Sequence, residues 1–155
     1  MSSVLSVGLG MKLRLWCMVL SFAVALPLAQ AQFSKTIHNS IEADSADVIT
    51  VDLAGEVSVE PWAGNTILVE TQIRLYNATK GVFEYFVEQA GRYDVLHEQS
   101  GNSLRVYSKD MARKIIQTKH GQSEEEVTVR VMLPRAFADT GSGSYRREAA
   151  EESDL

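Results

Sequence analysis

Apolar and polar residues alternate along most of this chain, and the alternation is sharpest from Val57 to Leu75. Val57, Val59, Ile67, Val69, Ile73 and Leu75 fall at every second position within two runs, with Ser58, Glu60, Glu70, Gln72 and Arg74 between them. A period of two gives each run one apolar and one wet face, as strands have. Gly64-Asn65 separates the runs, and both residues tolerate the positive φ of tight hairpin turns. The pattern predicts strand, turn, strand. Phe33 to Ile41 alternates more loosely. Asp47 to Leu53 puts Ile49, Val51 and Leu53 on one face, and Tyr93, Val95 and His97 alternate with Asp94, Leu96 and Glu98. Leu104 and Val106 follow a Gly101-Asn102 turn. Glu126 to Leu133 is the cleanest strand, with Val127, Val129, Val131 and Leu133 on one face and Pro134 at its end.

One stretch breaks the period. Val82, Phe83, Phe86, Val87 and Ala90 recur at intervals of three and four, and Gly91 stands where a C-cap glycine would. This predicts an amphipathic helix near 78–90, although Val82 to Val87 is also rich in strand formers. Gly64 to Thr71 echoes Gly101 to Ser108, turn residues against turn residues, which suggests a repeating strand-turn-strand unit. The expected fold class is mainly β: short strands in a β-solenoid or sandwich-like arrangement with one inserted helix.

The two ends read differently. Lys12 and Arg14 precede an apolar run from Leu15 to Leu28, and Ala29-Gln30-Ala31 is a small-x-small motif. This is the pattern of a secretory signal, with cleavage before Gln32. The apolar run is short for a spanning helix, which needs about 20 residues. Cys17 lacks the small residues that precede a lipidated cysteine. At the other end, 138–155 holds Gly141-Ser142-Gly143-Ser144 and then mostly charged residues, which predicts a disordered tail. The division is therefore signal peptide 1–31, β-rich domain 32–137 and tail 138–155. Removing 1–31 takes away two basic residues and no acidic one, so the net charge moves from −5 to −7. An acidic chain has no electrostatic attraction to nucleic acid or anionic lipid. It also keeps no cysteine, so its core must hold without disulfides.

Candidate chemistry is sparse. His38, His97 and His120 stand apart from one another and from other metal-type ligands, and His97 falls on an inward strand face. No serine sits in a Gly-x-Ser-x-Gly elbow, and there is no Walker loop or dinucleotide fingerprint. Glu124-Glu125-Glu126 reads as a solvated turn entering a strand. Lys109, Arg113, Lys114 and Lys119 form a basic stretch without the aromatic series of a nucleic-acid platform. Asn77-Ala78-Thr79 fits a glycosylation sequon. Glu60 and Glu70 lie on outward faces flanking Gly64-Asn65 and exemplify a carboxylate pair that a glycan hydrolase could use, although outward carboxylates on strands are usually just solubilising.

The Gly64-Asn65 echo, the Val57-x-Val59-x-x-Trp62 run and the late strand ending Val131-Met132-Leu133-Pro134 resemble the adhesin family of exported bacterial proteins, a domain of unknown function with repetitive β architecture. The resemblance spans roughly Asp47 to Phe137. It implies a right-handed solenoid of short strands and offers no catalytic, cofactor-binding or metal-binding residue. In that family further rungs would follow Phe137, where this chain instead turns polar, as a truncated solenoid would. The expected function is an exported, non-enzymatic interaction module, periplasmic, outer-envelope or extracellular, with no stable membrane span once the signal is cleaved. Its partner is an unidentified protein or glycan of the cell envelope. Strand 126–133, with no later strand to cover it, is expected to be an open edge able to self-associate. The alternatives are a membrane-held envelope factor with an uncleaved N-terminal helix and a carboxylate-based glycan hydrolase.

Overall fold

In the computed structural model, residues 32–119 and 121–148 are described, and the alternating runs become strands of two sheets. In chain order they are β1 (Gln32–Glu42), β2 (Val48–Asp52), β3 (Glu56–Trp62), β4 (Thr66–Tyr76), the helix α1 (Lys80–Glu84), β5 (Val95–Ser100), β6 (Ser103–Ser108), β7 (Ile116–Thr118), β8 (Gly121–Pro134), β9 (Phe137–Gly141) and β10 (Ser144–Arg147). The first sheet runs β1-β4-β8-β3 with β7 also on β8; the second runs β5-β6-β2-β10-β9. The chain is mainly β, as the periodicity predicts, with a sheet curled into a half-barrel. The predicted signal, 1–31, lies outside the described residues.

Period two decides the core. Ile67, Val69, Ile73 and Leu75 of β4 are buried, and so are Val127, Val129, Val131 and Leu133 of β8. In register, Val69 faces Val131 and Ile73 faces Val127. Ile49 of β2 and Leu104 and Val106 of β6 join the same cluster from the second sheet. Each such side chain contributes about 1.5–3 kcal/mol of burial.

The predicted helix is present but changes form. Thr79 caps it, its Oγ1 accepting from the Val82 N–H at 3.4 Å. Phe83 and Val87 are buried, and Phe83 stacks on Phe33 of β1 with ring centroids 5.7 Å apart. From Tyr85 to Gln89 the turn widens to π-helical spacing, and the Ala90 N–H donates to the Tyr85 carbonyl at 2.8 Å. The wider turn leaves Phe86 half-buried and Ala90 exposed, so the expected stripe is only partly inward. Gly91, at φ 62°, ends it as expected.

Four expectations are corrected. Val57 to Leu75 is not a hairpin: β3 is parallel and β4 antiparallel to β8, which lies between them. The Ala63–Asn65 link therefore steps across two strand spacings, about 10 Å. For the same reason strand 126–133 is not an edge. Thr128 is registered with Gln72 on one side and Glu56 on the other, so a proline there would break the sheet's interior. The echoing segments do not stack, because β4 belongs to the first sheet and β6 to the second. Residues 138–148 of the expected disordered tail are ordered. Gly141, Ser142 and Gly143 take positive φ and join β9 to β10, which pairs with β2. Few apolar anchors are needed there. Phe137 is buried, and the Arg147 guanidinium donates to the carbonyls of Ala43 and Ala46, both at 2.8 Å. Residues 149–155 lie outside the described residues.

Candidate functional site

Where β3 ends, β4 begins and β8 passes into β9, the structure has a cleft of about 300 Å³. Trp62 forms one wall. Its Nε1 donates to the Thr66 carbonyl at 2.8 Å, and its ring lies on Gly64. A Cβ at Gly64 would stand 2.1 Å from the indole Cη2 atom, so only glycine fits beneath it. The Gly64 expected for a turn conformation is thus required for close approach instead. The Arg135 N–H donates to the Trp62 carbonyl at 3.1 Å, tying the β8–β9 corner to the end of β3. Phe137 and Arg147 line the cleft, with the guanidinium 4.6 Å above the ring centroid.

Three exposed polar side chains rim this cleft: Asp44, Asn65 and Arg135. None of them makes a side-chain hydrogen bond or ion pair to the described residues, whereas the Arg147 guanidinium is spent on backbone carbonyls. A carboxylate, an amide and a guanidinium beside an indole can donate to and accept from neighbouring hydroxyls while the ring covers an apolar face. From sequence, Trp62 beside Pro61 is expected to cover the core edge and belongs to the Val57-x-Val59-x-x-Trp62 run; a place in the wall of a cleft is not expected of it. Asp44 and Arg135 are 91 positions apart in sequence and nothing local couples them.

A second grouping is buried. The Arg92 side chain, 6% exposed, donates through Nε and Nη2 to the two Glu125 oxygens at 3.0 and 2.8 Å. Its Nη1 reaches Asp110 at 3.3 Å and its Nη2 the Lys114 carbonyl at 2.8 Å. Its guanidinium carbon is 5.4 Å from the Phe86 ring centroid. Glu125 is therefore not part of a solvated turn. Burial pushes its carboxyl up, but the hydrogen bonds and charge of Arg92, with the charge of Arg113, outweigh this and hold it below the usual carboxylate range. The hydrogen bond to Glu125 raises Arg92 in turn, against its burial. Tyr93 lies alongside, and among the described residues its buried hydroxyl makes no hydrogen bond of ordinary geometry. Burial, and then the Glu125 carboxylate, push its phenol well up. This grouping clasps the end of the helical segment, the 109–115 loop and β8 together, and leaves neither ion of the Arg92–Glu125 pair free for chemistry.

Glu60 and Glu70 do share the outer face of the first sheet. Arg130 of β8 stands between their strands, paired with Glu60 at 2.5 Å and registered opposite Glu70. His38 lies 3.6 Å from Glu70. His97 is registered opposite buried Val106, yet is exposed, because β5 is the sheet's edge. His120 lies outside the described residues. Among the described residues no group of three His, Cys, Asp or Glu side chains is placed to hold a metal ion. The expected basic stretch is dispersed: Lys109 pairs with Asp94 at 3.2 Å, and Arg113 lies 5.7 Å from the Tyr93 ring centroid. Thr79 of the sequon is the helix cap, and the Asn77 carbonyl accepts from Ser123 at 3.1 Å. Comparison of the chain with protein-family models, curated proteins and solved structures gave no match.

Proposed function

We propose that this chain is an exported, non-enzymatic, adhesin-like module that holds a saccharide of the bacterial cell envelope in the Trp62 cleft. The observation that carries this reading is the unspent set of Asp44, Asn65 and Arg135 around an indole whose position Gly64 fixes. Sugars present hydroxyls and an apolar ring face together, which such a set matches. The carboxylates considered for hydrolysis support the non-enzymatic side of the reading, since Arg130 pairs with Glu60 and separates its strand from that of Glu70. Export rests on the signal pattern at 12–31. The membrane-held alternative parts from it on N-terminal sequencing of the exported protein, which is expected to begin at Gln32.

The solenoid reading also has support, though from other strands than the echo. β2 runs parallel to β6 and β3 parallel to β8, so two successive passes through the two sheets go the same way. That is the relation between neighbouring rungs.

In a chain beginning at Gln32, Trp62 is the sole tryptophan, because the other is Trp16. Its fluorescence therefore reports on the cleft directly. Titration with oligomers of N-acetylglucosamine and with lipopolysaccharide-derived oligosaccharides is expected to give a saturable change for one class. Asn65→Ala and Arg135→Ala should each weaken it about tenfold, the effect of one lost hydrogen bond to a charged or polar partner. No change with any oligosaccharide, or full affinity in both variants, would refute the proposal.

A further inference from the structure

The free edges of the two sheets are unequally protected. β3 carries Pro61 and the acidic Glu56 and Glu60, features that deter strand addition. β9 is short, acidic at Asp139, and its pairing with β10 shifts register at Ser144 and Tyr145. β5 is short and carries Glu98. β1 differs. It extends over 11 residues without proline or glycine, it keeps unbroken register with β4, and among the described residues no strand pairs with its other side. Its inward positions, set by that register, are Phe33, Lys35, Ile37, Asn39 and Ile41. Only Ile41 among them is fully buried; Phe33, Ile37 and Asn39 are half-buried and Lys35 is exposed.

The sequence of β1 is symmetric in type about Ile37. Turned antiparallel on itself with Ile37 opposite Ile37, it sets Phe33 against Ile41, Lys35 against Asn39, Thr36 against His38, Ser34 against Ser40 and Gln32 against Glu42. Every apolar residue meets an apolar one on the inward face, and no like charges meet. The Asn39 Oδ1 is buried and has no hydrogen-bond partner among the described residues. In this pairing it faces the ammonium group of the second copy's Lys35. Lys35 donates to Glu88 at 3.0 Å and keeps two further N–H groups.

We propose that two copies of this chain associate through β1, antiparallel and centred on Ile37, to make one continuous sheet across the dimer. This inference is independent of the saccharide reading. It would present two Trp62 clefts on one particle, and the gain for a surface bearing repeated ligands would come from bivalency rather than new contacts. A single strand pair is a small interface, of the class that associates transiently, so the measurement must reach high concentration.

Sedimentation equilibrium of the exported protein up to millimolar concentration is expected to show a monomer–dimer equilibrium. Ser34 and Ser40 are exposed and face each other across the proposed axis, so they give a register-specific test. Ser34→Glu with Ser40→Glu sets like charges together twice and should leave a folded monomer, judged by circular dichroism. Ser34→Glu with Ser40→Lys sets opposite charges together twice and should restore or tighten the dimer. Ile37→Cys, in a chain otherwise free of cysteine after residue 31, should oxidise to a linked dimer, while Ser40→Cys should not. A wild-type monomer at all concentrations would overturn the proposal. So would a dimer that both charge variants leave unchanged, or crosslinking that is equal in the two cysteine variants.

Discussion

Glu125 and Arg130 stand on the same strand, five positions apart, and each is half of a guanidinium–carboxylate pair. Opposite parity sends them to opposite faces. Glu125 points inward, where its side chain is 15% exposed and that of Arg92 6%; Arg130 points outward, where its side chain is 49% exposed and that of Glu60 44%. The chemistry is alike and the outer contact is even the shorter, 2.5 Å against 2.8 Å, but the surroundings differ. Inside, either ion left alone would be a charge in a poorly solvated place, so each makes the other obligatory. Outside, water replaces a lost partner at little cost. Contact distance therefore says little about what an ion pair does for this fold, and burial says most of it.

The contrast is broken most forcefully by Glu125→Ala, which leaves Arg92 only the longer contact to Asp110 and the Lys114 carbonyl among the described hydrogen bonds. This variant should lose about 3–5 kcal/mol in denaturant unfolding. Replacing the pair together, Arg92→Met with Glu125→Leu, should recover most of that loss, because the isolated charge is gone; equal losses in both variants would mean that packing, not charge, is at stake. Acid sharpens the contrast at intermediate size. Glu125 is held below the usual carboxylate value in the folded state and returns to about 4.3 when unfolded. Its contribution is therefore present above that unfolded value and is lost as the pH falls through the lower folded one. Unfolding free energy measured downward from pH 5 should decline, and Glu125→Gln should be less stable at pH 6 yet show a shallower decline below about pH 4. The smallest effect belongs to the outer face. Arg130→Ala should cost at most about 1 kcal/mol, and less again in 1 M salt, where the screening length is about 3 Å. A larger, salt-insensitive loss would show that the outer ladder is structural after all.

Parity also explains what could be read from the sequence. It gave the strand and core positions of β4 and β8, because every second residue there is Val, Ile or Leu. The same rule, continued back one step from Val127, places Glu125 inward, and an inward carboxylate calls for a buried cation. That signal was present, masked by the neighbouring Glu124 and Glu126, which look like surface. Strand order was not legible. Period two says which face a residue takes but not which strand lies beside it, so β3 and β4 read as a hairpin although β8 runs between them. β9 and β10 were missed for a related reason. They are held by backbone pairing to β2 and by Arg147 reaching back to carbonyls of the 43–46 turn, and neither leaves an apolar pattern. The Trp62 cleft is assembled from Asp44, Asn65 and Arg135 at chain positions that only the sheet order brings together.

That sheet order has a temporal consequence. β2 is flanked by β6 and β10, and the Arg147 that secures this arrangement bonds a carbonyl 104 residues earlier. β3, which follows β2 directly, gains its only partner among the described residues in β8, 72 residues on. Early strands thus emerge with no local neighbour and must wait for late ones. Such high contact order slows folding, because wide loops are closed before any ladder rewards them. On the proposal that the chain is exported, slowness is an asset: the half-made polypeptide stays threadable through a narrow translocation channel, and the topology itself defers folding until the far side.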